Sequence, residues 1–199
     1  MLKKMKIMKI WHKIVRKMQR FLAAHNRPVM IMQKRNFQGK KLVNTRMSSA
    51  TFLDHKETLF LSDHVYIGHH NFIEASGNVF IAEGVQITNF VNITTHSSHH
   101  SIRLYGRHYS KFSDKIGYLK GEVKIGTYTF IGPYSLIMPG ATIGKGCIVA
   151  AYSLVKGNFP DYSIIAGNPA QVVGNTKDKD KKWIEQCPEL LQYYYNNES

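Results

Sequence analysis

From Ile125 onward an aliphatic residue returns at every sixth position: Ile125, Ile131, Ile137, Ile143, Val149 and Val155. The residue that follows is small in most of these hexads, as at Gly126, Gly132, Gly144 and Ala150. Four places after each aliphatic stands another short residue: Thr129, Ser135, Ala141, Cys147 and Ser153. The same rhythm occurs at Ile67 and Ile73 and, after a slip of two residues, at Ile81, Ile87 and Ile93, with Asn71, Gly77, Val85 and Val91 in the short slot. Six is the period neither of a half-buried strand nor of a helix. It reads as one short strand and one corner per hexad, the aliphatic pointing into a narrow core and the small residue fitting the turn. Such units stack as a parallel β-solenoid, coil on coil at about 4.8 Å. A sandwich of amphipathic strands would not keep one phase through six consecutive hexads.

Beyond that slip, the phase has one long break. Between Ile93 and Val123 runs "TTHSSHHSIRLYGRHYSKFSDKIGYLKGE", polar and aromatic, with three histidines (His96, His99, His100) within five residues. A long loop thrown out of an otherwise regular coil is a place to look for function. Its Arg103, Tyr105, Arg107, His108, Tyr109 and Lys111 suit hydrogen bonding and stacking on a sugar or phosphate, and equally a solvated loop. The histidines admit two readings. An imidazole is the side chain best able to take a hydroxyl proton near neutral pH. Zinc wants three histidines converging from separated places, with His69 and His70 on an earlier coil available to such a site.

Charge narrows the partners. The 199 residues carry 27 Lys and Arg against 13 Asp and Glu, a net +14 at pH 7, which favours a nucleotide-bearing coenzyme, an anionic lipid surface, nucleic acid or an acidic glycan. The two cysteines, Cys147 and Cys187, have neither a CxxC nor a zinc spacing, which fits a reducing compartment. No apolar run reaches the ~18 residues of a membrane span, and lysines interrupt the basic amino terminus before a signal-peptide core can form. The expected location is the cytoplasm.

The blocks "VKIGTYTFIGPYSLIMPGATIGKGCIVAAYSLV" and "SIIAGNPAQVVG" resemble the hexapeptide-repeat acyltransferases, in the branch of galactoside, maltose and bacterial surface-polysaccharide O-acetyltransferases. The likeness runs over residues 65 to 174. It implies an all-β chain folded as a left-handed parallel β-helix of triangular section, a homotrimer, and acetyl-CoA as co-substrate, with no metal. It implies a saccharide acceptor from capsule, lipopolysaccharide or another surface glycan, and no nucleic-acid partner. In this family a histidine just ahead of the extended loop takes the acceptor's proton; His96 in "ITTH" matches that position. His99, His100, Arg103 and Tyr105 are then candidates for holding the acceptor.

On the donor side the resemblance places Ala151 and Lys156 at coenzyme-contacting positions, and "AGNPA" closes the groove with Gly167, Asn168 and Pro169. Gly132 and Ala150 are small enough for a pantetheine arm to approach the backbone. Pro133 stands where relatives often have a serine, and Phe130 where they usually have tryptophan. Gln171 and Gly174 replace two arginines of the galactoside branch, so phosphate contacts would fall to Lys156, Lys177 or Lys145.

The chain divides into a basic amphipathic helix (1–28), an irregular lead-in or first coil (29–64), the β-helix (65–176) with its loop at 97–122, and a C-terminal capping helix and tail (177–199). Ile7, Ile10, Trp11, Ile14, Met18, Phe21 and Leu22 make one helical face against Lys9, Lys13, Arg16, Lys17 and Arg20. Over residues 5–22 this helix suits peripheral association with the inner face of an anionic membrane, or a cap on the solenoid. Three rival functions stay open: N-acetylation of a nucleotide-linked amino sugar or antibiotic, a zinc hydratase of the carbonic anhydrase type, and a binding solenoid without chemistry.

Overall fold

The computed structural model describes residues 11–21 and 26–194. Residues 1–10 and 22–25 of the expected basic helix (1–28), and residues 195–199 of the tail, lie outside the described residues.

Short parallel strands form three faces. The first carries Phe52–Asp54, Phe72–Glu74, Asn92–Ile93, Leu136–Ile137 and Leu154–Val155. The second carries Leu59–Leu61, Val79–Ile81, Val123–Ile125, Thr142–Ile143 and Asn158–Phe159. The third carries Tyr66–Ile67, Gln86–Ile87, Phe130–Ile131, Ile148–Val149 and Ser163–Gly167. The chain visits them in that order, one strand per face per coil, so each coil is a triangle and the stack is a prism.

The hexad aliphatics make the core. Ile67, Ile87, Ile131 and Val149 are in register up the third face. Ile73, Ile93, Ile137 and Val155 do the same on the first, and Ile81, Ile125 and Ile143 on the second. All are buried. The short slot is buried as well, and its hydroxyls serve the next coil: Thr129 Oγ1 donates to the Gly144 carbonyl at 2.8 Å and Ser135 Oγ to that of Ala150 at 3.0 Å. A larger residue would not fit there, and an unpaired polar one would be costly.

The corners explain residues that the hexad pattern leaves free. His70, Phe90, Tyr134 and Tyr152 all sit at φ near +60° (58°, 60°, 60° and 60°), a conformation that side chains with a Cβ adopt rarely. Their rings stack coil on coil at 5.1, 4.9 and 5.0 Å, and stacking of that kind offsets part of the backbone strain. On another corner the rings of Tyr128 and Tyr162 cover Gly84 and Gly146 of the preceding coil.

Residues 29–64 are more regular than expected. Met30–Arg35 pairs antiparallel with Lys41–Ser48, which joins the third face beside Tyr66–Ile67, and Phe52–Asp54 and Leu59–Leu61 complete a first coil. Stacked Phe52–Phe72 and Phe60–Phe80 rings, at 5.3 and 4.7 Å, tie that coil to the next. At the other end Ser163–Gly167 turns back into Ala170–Asn175. A helix, Thr176–Gln186, follows, one residue ahead of the expected boundary at 177; its start is capped by Asn175 Oδ1, which accepts from the Lys177 N–H at 2.8 Å.

Candidate active site

Two irregularities of the coil meet at the edge between the first and second faces. Twenty residues separate Ile67 from Ile87 in register, against eighteen between Ile131 and Val149. The surplus lies in the corner after Ile73. One coil on, at the same edge, the chain leaves the prism after Ile93. The widened corner presents Glu74 and Ser76; the exit presents Thr95 and His96.

Glu74 occupies the slot that most hexads fill with a small residue, and it is buried. Its Oε1 accepts the Ser76 N–H at 2.7 Å. Its Oε2 accepts the Thr95 N–H at 2.9 Å and Thr95 Oγ1 at 2.8 Å. Burial pushes this carboxyl up, yet the hydrogen bonds from Ser76 and Thr95 outweigh it and hold the group at about 2. Glu74 is therefore ionised at neutral pH and can only accept. Thr95 itself is fixed by the Gly77 N–H, which donates to Thr95 Oγ1 at 2.7 Å; a Cβ at Gly77 would meet Thr95 Cβ at 2.8 Å.

His96 Nδ1 lies 2.8 Å from Glu74 Oε2. Facing an acceptor-only carboxylate, Nδ1 carries the hydrogen, and Nε2 keeps its lone pair. The Tyr118 ring stacks on the imidazole at 5.6 Å and 11°, while the side chain of His96 remains 37% exposed. Burial, with the neighbouring Tyr109 and Glu74, pushes the Tyr118 hydroxyl up, so it stays protonated at neutral pH. A held imidazole with one buried nitrogen paired and the other open can take a proton from a bound hydroxyl.

The loop is folded rather than loose. His96–Ser97 pairs antiparallel with Leu119–Lys120, so the chain leaves and returns side by side. Between them lie a helix, Ser101–Tyr105, and a 3-10 turn, Gly106–Lys111. Tyr105 is committed to the loop: its hydroxyl accepts the Ile116 N–H at 2.9 Å and its ring packs on Phe112 at 4.8 Å. His99, His100 and Arg103 stand together. Arg103 donates from Nη1 to the His99 carbonyl and from Nη2 to His100 Nδ1, the latter at 3.0 Å.

The expected donor residues stand elsewhere on the prism. Phe130 points outward from the third face; Gly132, Pro133, Ala150 and Ala151 form the corner between the third and first faces; Gly167 ends the last third-face strand, and Asn168 and Pro169 form the turn after it. The third face lies across the prism from the edge that carries His96, so one chain does not bring His96 and Phe130 together. Gly132 also has a reason in the coil itself, since a Cβ there would meet the Ala151 nitrogen at 2.7 Å. Lys156 is on the His96 edge, close enough for its charge to act on His99.

The three loop histidines do not converge on a point. Among the described residues the potential metal ligands that do converge are Asp54, His55 and Glu74, and the Glu74 carboxylate is already taken up by Ser76, Thr95 and His96. The repeat pattern alone does not single out Glu74. Its signal was present, an acid where the hexads put a small residue, just before the two-residue slip.

Residues 122–157 match the family model described as bacterial transferase hexapeptide (six repeats). Over 106 residues the chain is 32% identical to the galactoside O-acetyltransferase of Escherichia coli, covering 53% of this chain and 45% of that protein. Over 131 residues it is 30% identical to a putative lipopolysaccharide biosynthesis O-acetyl transferase of the same species, covering 63% and 64%. The chain spans only 20% of another curated relative, a probable acetyltransferase of Mycobacterium tuberculosis. Among solved structures, a maltose O-acetyltransferase from Clostridium difficile 630 matches with a TM-score of 0.57 at 21% identity, over 68% of this chain and 67% of that one. At that identity the likeness shows the fold, a left-handed parallel β-helix. By its six-residue period, its three-faced coil and these matches, the chain is similar to the hexapeptide-repeat acetyltransferases, and residues 122–157 carry the hexapeptide repeat itself.

Proposed function

We propose that the protein transfers an acetyl group from acetyl-CoA to a hydroxyl of a saccharide, with His96 as the general base. The observation that carries this reading is the Glu74–His96 pair at 2.8 Å, which leaves Nε2 free at the mouth of a folded loop. The names of the relatives, O-acetyltransferases in both Escherichia coli matches, support the reaction class, and the second of these supports a surface glycan as acceptor.

The chemistry needs few parts. His96 Nε2 takes the acceptor's hydroxyl proton as the oxygen attacks the thioester carbonyl. The C–S bond then breaks, an ester forms, and the proton passes from Nε2 to the departing thiolate. Glu74 stabilises the imidazolium between these steps and keeps the ring from turning. The enzyme needs no covalent intermediate.

In this reading the donor groove belongs to a second copy. Phe130, Ala150 and Ala151 of one prism face His96 of its neighbour, as they would in a homotrimer, since within a chain the body of the prism separates them. Phe130 is positioned to shield the thioester from water. The test is a coupled assay of thiol release from acetyl-CoA against a panel of neutral and acidic sugars and amino sugars, with the product identified by mass. Ester products support the reading; thiol release with amines alone would replace it with N-acetylation, and no release with any acceptor would remove it.

We propose further that residues 11–21 rest on an anionic membrane surface. Trp11, Ile14 and Met18 are 63%, 53% and 56% exposed along one helical face, and Lys13, Arg16, Lys17 and Arg20 accompany them. No helix among the described residues is long and apolar enough to cross a membrane. Co-sedimentation with phosphatidylglycerol vesicles should be lost in Trp11→Glu; undiminished binding would contradict the assignment.

A further inference from the structure

Beside the base the loop gathers positive charge without answering it. His99 and His100 have ring centroids 4.0 Å apart. Arg103 bridges them, holding the His99 carbonyl and His100 Nδ1. A guanidinium only donates, so His100 Nδ1 accepts, and the hydrogen of the neutral ring sits on Nε2, pointing away from Arg103. His99 Nδ1 is engaged by Ser97 Oγ at 2.8 Å, which leaves its Nε2 to face outward too. Lys156 comes up from the same prism edge. Desolvation, then nearby His100, Arg103 and Lys156, push the His99 imidazole down, and two of these neighbours, Arg103 and Lys156, are permanent cations.

No carboxylate neutralises them. The ion pairs among the described residues are His55–Asp54, His96–Glu74 and Lys124–Glu122; neither Arg103 nor Lys156 is in one. Like charges held together repel each other, and Arg103 retains donors beyond its two contacts. The four side chains are exposed, and the loop sets their spacing: a Cβ at Gly117, in the turn before the returning strand, would meet His100 Cβ at 2.9 Å.

We infer that the acceptor saccharide carries an anionic substituent, a phosphate or a carboxylate, and that His99, His100, Arg103 and Lys156 receive it next to His96. The word acceptor rests on the acetyl-transfer reading; the binding of the anion does not. The planar guanidinium can grip either group through two parallel hydrogen bonds, and Lys156 adds a point charge. The cluster then selects acidic sugars over neutral ones and sets the accepting hydroxyl near Nε2 of His96.

The test uses three probes on the full chain without acetyl-CoA: glucose 1-phosphate, glucuronate and glucose. Histidine ring resonances are followed by NMR. The expected result is a saturable shift of the His99 and His100 rings with one or both anionic sugars and none with glucose. The stronger of the two anions identifies the substituent. Arg103→Ala should weaken that binding about tenfold or more, with partial recovery in Arg103→Lys, and Lys156→Ala gives an independent reading if the loop variant does not fold. Equal response to glucose, or no response to either anion, would overturn the proposal. So would a rise in the KM for acetyl-CoA in Arg103→Ala with unchanged anionic-sugar affinity, which would give the cluster to the coenzyme phosphates. Absence of thiol release with intact anion binding would instead remove only the acetyl-transfer reading.

Discussion

Glu74 Oε2 and His96 Nδ1 lie 2.8 Å apart across two successive coils. The carboxylate is buried and held at about 2 by bonds from Ser76 and Thr95, so the imidazole gains a fixed orientation and one defined tautomer. Replacing Glu74 by Gln keeps the shape and removes the charge. The amide can present an NH2 to Nδ1 and favour the opposite tautomer. We expect Glu74→Gln to lower kcat by about 10- to 100-fold with the KM for acetyl-CoA little changed. Steady-state kinetics on thiol release checks this.

The same carboxylate shapes acid stability. Its folded value, about 2, lies below the ordinary 4.5. A depressed value contributes stability above the unfolded value, and the contribution is lost as pH falls through the folded one. Asp63 behaves alike: burial pushes it up, but bonds from Asn44, His64, Val43 and Thr45 bring it from 3.8 to about 2. Denaturation free energy should therefore fall between pH 4.5 and about 2, and the fall should be shallower in Glu74→Gln. Urea titrations across that window measure both slopes.

Gly146 sits at φ +63°, and a Cβ on it would meet the Tyr162 ring at 2.7 Å. Both the backbone conformation and the contact oppose a side chain. Gly146→Ala should cost about 1 kcal/mol or more, read as a lower urea midpoint. Tyr162 is itself at φ 62°, so adding Tyr162→Gly removes the obstructing ring and relieves that second strain. The double variant should recover part of the loss.

The separation of His96 from the third face has a consequence for mixtures. His96→Ala lacks the base, and Ala151→Trp blocks the corner assigned to the donor. If each site draws these parts from two chains, either variant alone is inactive. Co-refolding the two should then restore activity, because some interfaces pair an intact His96 with an intact Ala151. Lack of recovery in a mixture shown to hold both chains would place donor and base on one chain.

Much of the fold was legible because a period of six leaves few alternatives. Each aliphatic assigned inward, from Ile67 to Val155, is buried, and the exit at His96 falls where the phase breaks. What escaped was the partner of the base. Glu74 and His96 are far apart in sequence and meet only because the coil between them closes a turn, so local pattern does not join them. The slip after Ile73 marked the corner without saying what it housed. The aromatic ladder of His70, Phe90, Tyr134 and Tyr152 was hidden for a related reason, since the hexad pattern constrains the inward and short slots and leaves these corner positions free. The packing of His99, His100, Arg103 and Lys156 depends on how the loop folds back through Leu119–Lys120, which composition does not fix.

The central claim is that His96 takes the acceptor's proton. It is tested most directly by the rate of acetyl transfer from acetyl-CoA to the best saccharide acceptor in His96→Ala, compared with the unaltered chain at saturating substrates. A general base contributes about 10²- to 10⁴-fold, and a loss of that size, with the fold and acetyl-CoA binding intact, is the expected result. Undiminished transfer by His96→Ala would contradict it.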